Sequence, residues 1–479
     1  MRNSTHMKLK LLFIMTLLGY SGMAQKTGNS YTLEECIDYG LKNNIQVQNA
    51  QLDEEIAKAK VKETVGIGLP QVSGSVALQH SPDLQRFFSR YDTTGGFSFV
   101  DPAAANAIGL DQGEVFAAQN FFQLKSVGTA ELNINQLIFN GSYIVGLQAS
   151  NAYKDLSVKQ ANQTKEENIK NISMAFYNLL IMQERLELVE SNLKRIKELY
   201  ETTAAMQENG FAEKIDVDRL KVNLNNLNVA VRNTANGLDL AQMLLKFQMN
   251  YPMNQELDIE GSLENVVLQQ VEGPDSEWNY SKRTDYQVLE ANKKLQELNI
   301  KNKYAEALPS IGAFANIGYM TQAPSFGGLF KTESDFTESD QIGTDGWYNY
   351  TSVGLALNWN FFTGLQRSYQ IQQEKLNLQK IDNSFKMLEN NIEMEVTRNQ
   401  DALDVALETL DVQSENLDLA TNIYEISQIK YEEGVGSSLE VTEADAALKE
   451  AQTNYYSALY DAIVAQIELK KSLGTLYNK

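Results

Sequence analysis

The chain has one cysteine in 479 residues, two histidines and seven prolines. A single cysteine makes no internal disulfide, so stability must come from packing rather than cross-links. Two histidines leave little material for a His-based triad or metal cage. No G-x-x-x-x-G-K, G-x-S-x-G or H-E-x-x-H motif is present, and paired carboxylates are too common in so acidic a chain to mark a site. An enzyme is therefore not expected, and no cofactor or metal is. With 62 acidic against 41 basic side chains the formal charge is −21, which disfavours nucleic acid as a partner. Past the first 24 residues no run approaches 18 apolar residues, so no spanning helix is predicted.

The N-terminus itself reads as a secretory leader over residues 1–24. Arg2, Lys8 and Lys10 form a basic region, Leu11 to Leu18 an apolar core, and Gly22-Met23-Ala24 a small-residue cleavage site. Cleavage removes those three positive charges and no negative ones, giving −24, and leaves His80 as the only histidine. Export without a spanning helix leaves a secreted, a periplasmic or an outer-membrane β-barrel protein.

What the chain does have, it has twice. Leu69-Pro70-Gln71-Val72, Asn135-Gln136-Leu137-Ile138-Phe139-Asn140-Gly141 and Asn209-Gly210-Phe211 follow one another in the first half. Leu308-Pro309-Ser310-Ile311, Asn358-Trp359-Asn360-Phe361-Phe362-Thr363-Gly364 and Glu433-Gly434-Val435 follow in the second, at offsets of 239, 223 and 224 residues. A constant order of parts at nearly constant offset is one architectural unit used twice. The expected organisation is a first repeat over 25–250, a connector over 251–281 and a second repeat over 282–479.

Proline placement marks where helices can be long. Residues 142–251 and 325–479 contain none. Ile169, Ile172, Phe176, Leu179, Leu186, Val189, Leu193 and Ile196 step by 3, 4, 3, 7, 3, 4 and 3, close to a coiled-coil seam. This spacing predicts a helix from about Tyr143 to Glu208, roughly 100 Å at 1.5 Å per residue. Gly210 stops it, and a return helix follows from about Glu213 to Phe247. The second half repeats this from about Gln366 to Glu432 and from Leu439 to Leu473. Each half also opens with a helix. The capping box Thr32-Leu33-Glu34-Glu35 starts one running to about Val65, and its counterpart covers about Arg283 to Glu306.

Four segments alternate with period two. Val72, Val76 and Leu78 alternate with Ser73, Ser75, Ala77 and Gln79. Ala130, Leu132, Ile134 and Ile138 alternate with Glu131, Asn133 and Asn135. Ile311, Ala313, Ala315, Ile317 and Tyr319 form one face of a third strand, and Val353, Leu355, Leu357, Trp359 and Phe361 alternate with Ser352, Asn358 and Asn360 in a fourth. About ten residues, apolar on one face and polar on the other, is the pattern of a strand with lipid outside and water inside. Taken singly, each segment fits a half-buried strand in a soluble sandwich better. Four of them, two per repeat beside very long helices, favour the membrane. Long loops over 81–127 and 321–350 join the paired strands. Phe121, Phe122, Trp347, Tyr348 and Tyr350 suit either an interfacial aromatic girdle or packing within an ordered loop.

Four strands cannot close a barrel in lipid, because each open edge leaves backbone groups unpaired. Two chains would give eight strands and a filled interior, three would give twelve and room for water. The polar positions Glu131, Asn133, Asn135, Asn358 and Asn360, read as lumen-facing, favour three. Larger rings stay open.

These residues resemble the TolC family of outer-membrane efflux proteins over nearly the whole chain after the leader. The carriers are Tyr31-Thr32-Leu33-Glu34-Glu35-Cys36-Ile37, Leu69-Pro70, Asn140-Gly141, and the two turn signatures Asn209-Gly210…Ile215-Asp216-Val217 and Glu433-Gly434…Leu439-Glu440-Val441…Glu443-Ala444. The resemblance implies a mixed α and β membrane protein, a homotrimer with a twelve-stranded barrel continued by a helical periplasmic tunnel. It implies work with a periplasmic adaptor and an inner-membrane pump of RND or ABC type, as the passive exit duct of a tripartite efflux or type I secretion system. It also implies that Gly210, Ile215, Val217, Gly434, Leu439 and Val441 lie in the adaptor-docking turns. Acidic residues three apart after the second turn would line the gate: here Glu440 and Glu443, which also suit the N-terminus of the return helix through its dipole, with Asp216 in the matching place on the first turn. The family's usual residue there is Asp, and the longer Glu arm alters the constriction. The competing reading is a trimeric coiled-coil adhesin or periplasmic structural protein, which needs heptads but no alternating strands.

Overall fold

A computed structural model describes residues 30–92, 100–119, 122–263, 278–331 and 346–477. The expected leader, Phe121 and parts of the connector and of both long loops lie outside these residues. The chain divides into two compact units. One comprises the described residues of Met1–Lys58, Ala152–Leu295 and Asn377–Lys479, the other Ala59–Asn151 and Gln296–Leu376.

In chain order the elements are β1 (Ser30–Tyr31), α1 (Leu33–Asn43), α2 (Ile45–Ile67), β2 (Gln71–His80), β3 (Arg86–Arg90), α3 (Pro102–Ala107), β4 (Val115–Gln119) and β5 (Ser126–Phe139). Then come α4 (Gly141–Glu208), α5 (Lys214–Met249), β6 (Asp258–Ile259), α6 (Thr284–Ala305), β7 (Ser310–Ala323), β8 (Tyr348–Asn358), α7 (Gln366–Glu432) and α8 (Ser438–Ser472). α4 and α7 hold 68 and 67 residues, so the proline-free zones became the long helices expected of them. Among the described residues no helix is long and apolar enough to cross a membrane.

The heptad seam of α4 is a core seam. Ile169, Ile172, Phe176, Leu179 and Ile196 are buried, and Leu186, Val189 and Leu193 are half-buried. Ile172, Phe176 and Leu179 pack with Cys36 of α1 and with Leu245 and Met249 of α5 in the largest cluster of the helical unit.

One reading is corrected. The first helix is not continuous from Thr32 to Val65. The Thr32–Glu35 capping box forms, with Glu35 N donating to Thr32 Oγ1 and Thr32 N to Glu35 Oε2. The helix then breaks at Asn44, whose backbone is extended. Its side chain accepts from Gln46 N at 2.8 Å and Val47 N at 3.3 Å and so caps a second helix, a competition with the backbone that asparagine wins at helix ends. Within the expected connector, β6 pairs in parallel with β1, Ser30 to Asp258 and Tyr31 to Ile259. Residue 251 onwards lacks helical period, and a two-residue strand is too short to show a period of its own.

The four alternating segments form one antiparallel sheet in the order β2-β5-β7-β8. β5 and β7 join the two halves of the chain, and β2 and β8 are its edges. β8 ends at Asn358, so Trp359, Asn360 and Phe361 lie beyond the strand. The following Gly364 and Leu365 both have positive φ, +59° and +65°. In the first half Gly141 is already the first residue of α4, whose Tyr143 N donates to Asn140 Oδ1 at 2.9 Å.

Candidate functional site: a two-faced sheet and a pair of helix turns

Register decides what each face of the sheet carries. Glu131 lies across from Ser75 on β2 and Gly318 on β7, and Gly318 across from Tyr350 on β8. Asn133 lies across from Ser73 and Asn316, and Asn316 across from Ser352. One face is therefore a polar row. Ser75 Oγ donates to Glu131 Oε1 at 3.1 Å, Asn133 Nδ2 to the same oxygen at 3.1 Å, and Tyr350 OH to Glu131 Oε2 at 2.7 Å. Asn316 Nδ2 donates to Ser352 Oγ at 3.3 Å. Asn135 and Asn358 sit on this face by register; Asn360 does not, because the strand has ended before it.

The other face carries Val72, Val76 and Leu78, then Leu132, then Ile317 and Tyr319, then Val353, Leu355 and Leu357, all exposed in the single chain. Val353 and Leu355 are each 76% exposed. An uncovered apolar sheet face of this extent calls for lipid or protein against it. Its ends are marked by aromatics. At one, Trp347 packs over Gly128, and its Nε1 donates to Leu329 O at 3.0 Å in a short 3-10 turn, Phe326–Phe330. At the other, Trp359 Nε1 donates to Ala307 O at 3.0 Å and its ring lies 4.4 Å from that of Phe361. Between these ends β8 has 11 residues, roughly 36 Å along the strand and less across a tilted sheet, the scale of a bilayer core. Of the aromatic positions expected before strands two and four, Trp347 belongs to the apolar side, whereas Tyr350 turns to the polar face and bonds Glu131.

The helical unit carries the turns. After α4, Gly210 has φ +80° and Phe211 N donates to Met206 O at 2.8 Å. After α7, Gly434 has φ +73° and Val435 N donates to Lys430 O at 2.9 Å. Both are Schellman-type closures that need a left-handed residue, hence glycine. Ile215 and Leu439 are exposed and Val217 half-buried. Val441, fully buried, sits instead in the core beneath the turns with Leu220, Tyr424, Ala444 and Leu448.

The acidic residues divide as well. Glu440 and Glu443 are exposed one turn apart on α8, and their carboxylates form no ion pair among the described residues. Asp216 is engaged. It accepts from Ser438 Oγ on the other turn and from Glu213 N at 3.3 Å, and Arg219 Nη1 is 3.9 Å away. Sequence alone equated Asp216 with the glutamates by position; the contacts make it a tie between the hairpins.

Further ties cross the same four helices, and no motif announced them. Thr203 Oγ1 and Tyr431 OH are 3.1 Å apart, Asn192 Nδ2 donates to Gln452 Oε1 at 3.0 Å, and Asn223 Nδ2 donates to Asp445 Oδ2 at 2.9 Å. Arg195 lies 5.3 Å over the Tyr424 ring. Burial holds the Asp445 carboxyl above its ordinary range, against the pull of the Asn223 hydrogen bond and of Lys449 and Arg195. Their sequence signal was only a polar residue at a core-facing helical position. Among the described residues no cluster of His, Cys, Asp and Glu could hold a metal ion.

A sheet with one apolar and one polar face and a pair of long helical hairpins define the class, and comparison agrees. The family model for outer membrane efflux proteins matches residues 281–475. Three solved structures share the fold over nearly their whole lengths. CusC aligns with a TM-score of 0.68 at 15% identity, covering 94% of this chain and 95% of that one. The MtrE outer membrane channel of Neisseria gonorrhoeae aligns at 0.66 and 18%, covering 92% and 88%. The CmeC outer membrane channel of Campylobacter jejuni aligns at 0.65 and 17%, covering 96% and 91%. No curated protein matches the chain in sequence. Residues 281–475 thus match the model of the outer membrane efflux protein family, and the chain as a whole shares the fold of these solved outer-membrane channels.

Proposed function

We propose that the protein is the outer-membrane channel of a tripartite efflux system, a passive duct for substrates handed over by an inner-membrane pump through a periplasmic adaptor. The observation that carries this is the four-stranded sheet. Its apolar face spans about one bilayer core between aromatic ends, its opposite face is hydrogen-bonded and polar, and its edges β2 and β8 are unpaired among the described residues. An unpaired edge is not tolerated in lipid, so β8 of one copy pairs with β2 of the next. Three copies make twelve strands, enough for a water-filled interior lined by Glu131, Asn133, Asn135 and Asn358.

The long helices support the same assembly. Val405, Val412, Leu419 and Ile426 of α7 are exposed at seven-residue spacing, an apolar stripe that awaits a neighbouring helix. In this reading residues 25–250 and 282–479 are the two repeats, 251–281 joins them, and the leader 1–24 directs export. The turns at Gly210 and Gly434, with exposed Ile215 and Leu439, meet the adaptor. Glu440 and Glu443 then stand as a ring of six carboxylates around the threefold axis, which favours cations over anions. The protein carries out no catalysis of its own; substrate choice rests with the pump.

The test is fractionation. The protein is expected in the outer membrane, extracted only by detergent, and of trimer mass by light scattering with the detergent subtracted. Recovery from the soluble periplasm would refute the channel and restore the coiled-coil reading.

A further inference from the structure

The connection between β2 and β5 folds on its own account. β3 and β4 pair from Arg86 with Gln119 to Arg90 with Val115. One face of this hairpin closes on α3, where Tyr91, Ala105 and Phe116 are buried with Phe87, Val100, Leu110 and Ala118 around them. Strand alternation puts Arg86, Phe88 and Arg90 on the opposite face, beside Val115 and Ala117, and all five are exposed. Phe88 is 73% exposed. The two arginines, four residues apart on one strand and so roughly 13 Å from each other, have no ion pair among the described residues, in a chain with 62 acidic side chains. Two unneutralised guanidinium groups flanking a bare phenyl ring match a ligand that offers phosphates next to hydrocarbon.

Position supplies the source of such a ligand. Ser81 N donates to Lys125 O at 2.7 Å, which carries the β2–β5 ladder one step past the strands. Arg86 follows five residues after Ser81, and Gln119 precedes Lys125 by six, so the hairpin starts within about 20 Å of the sheet. This is the end where Trp347 closes the apolar face. We propose that the Arg86–Phe88–Arg90 face binds the phosphate-bearing headgroups of the outer-leaflet lipid. Arginine pairs with phosphate oxygens through two parallel N–H donors, and the Phe88 ring enters the boundary between headgroup and acyl chain. The proposal rests on the reading that the sheet crosses the outer membrane with this hairpin on the outer side.

The experiment uses the full chain, delipidated in a neutral detergent and titrated with mixed micelles of that detergent and diphosphorylated lipid A, or lipid A stripped of its phosphates. Binding is read as lipid retained per trimer by native mass spectrometry. The wild type is expected to prefer the phosphorylated lipid, and to lose the preference as ionic strength rises. Each basic side chain near an anionic surface contributes about fivefold, so Arg86→Gln with Arg90→Gln weakens phosphorylated lipid A binding about 25-fold and leaves the stripped lipid unchanged. Arg86→Lys with Arg90→Lys restores most of it, and Phe88→Ser weakens both lipids. Equal binding of the two lipids by the wild type, an unchanged affinity in the double glutamine variant, or displacement by millimolar inorganic phosphate alone overturns the proposal. In each of those outcomes a trimer retained in the outer-membrane fraction leaves the channel reading standing, whereas a soluble protein removes both.

Discussion

The two helix turns are built alike and used differently. Gly210 and Gly434 have the same left-handed backbone, and the following amide closes on the carbonyl five residues back in both. Below that frame they part. The first turn engages its half-buried acid: Asp216 accepts from Ser438 Oγ and from the Glu213 amide. The second caps its return helix with neutral Ser437, which accepts from Glu440 N, and leaves Glu440 and Glu443 in solvent. Duplication reproduces the turn because the backbone geometry leaves little choice. The carboxylates are free to diverge because their roles depend on what stands opposite.

The comparison can be strained from the core outward. Leu220 on the first hairpin and Leu448 on the second lie in one cluster. Leu220→Ala and Leu448→Ala should each cost about 2–5 kcal/mol in denaturant unfolding. Similar losses fit a shared core; a loss at only one site would mean that the hairpins are held separately. Next are the glycines. Valine at either Gly210 or Gly434 must adopt a left-handed backbone, at a cost of about 1–2 kcal/mol, and the two variants should match within error in thermal midpoint. A much smaller effect at one turn would show that its backbone is not fixed as the other's is.

A smaller effect separates the buried acid of the second hairpin from its exposed ones. Because burial raises the Asp445 pKa, its contribution to stability is fully present below its unfolded pKa of about 3.9 and is lost as pH rises through the folded value. Asp445→Asn should therefore raise the thermal midpoint at pH 7 and leave it unchanged near pH 3. A midpoint at pH 7 equal to that of the wild type would contradict the burial assignment.

Much of this architecture was legible in the chain. The lengths of α4 and α7 follow from proline placement and seam spacing, and the four strands follow from their alternation, because helix and strand periods are local properties. The break at Asn44 was not legible, since it depends on which backbone amides the side chain meets. Nor was the hairpin β3–β4 with α3: its strands have five residues each, too few for alternation to stand out. Asn360 was assigned to the lumen by extending a true alternation past the end of its strand. At the turns the residue types marked the right neighbourhood, but the partner of Asp216 lies 222 residues away, and only the fold brings Ser438 to it.

Charge selectivity in a planar bilayer tests the division of the acids most directly. With Glu440→Gln and Glu443→Gln together, the reconstituted channel should lose much of its preference for cations at unchanged thermal stability, whereas Asp216→Asn should lower stability and keep the preference. Undiminished cation selectivity in the double glutamine variant would contradict the assignment of the gate to the second turn.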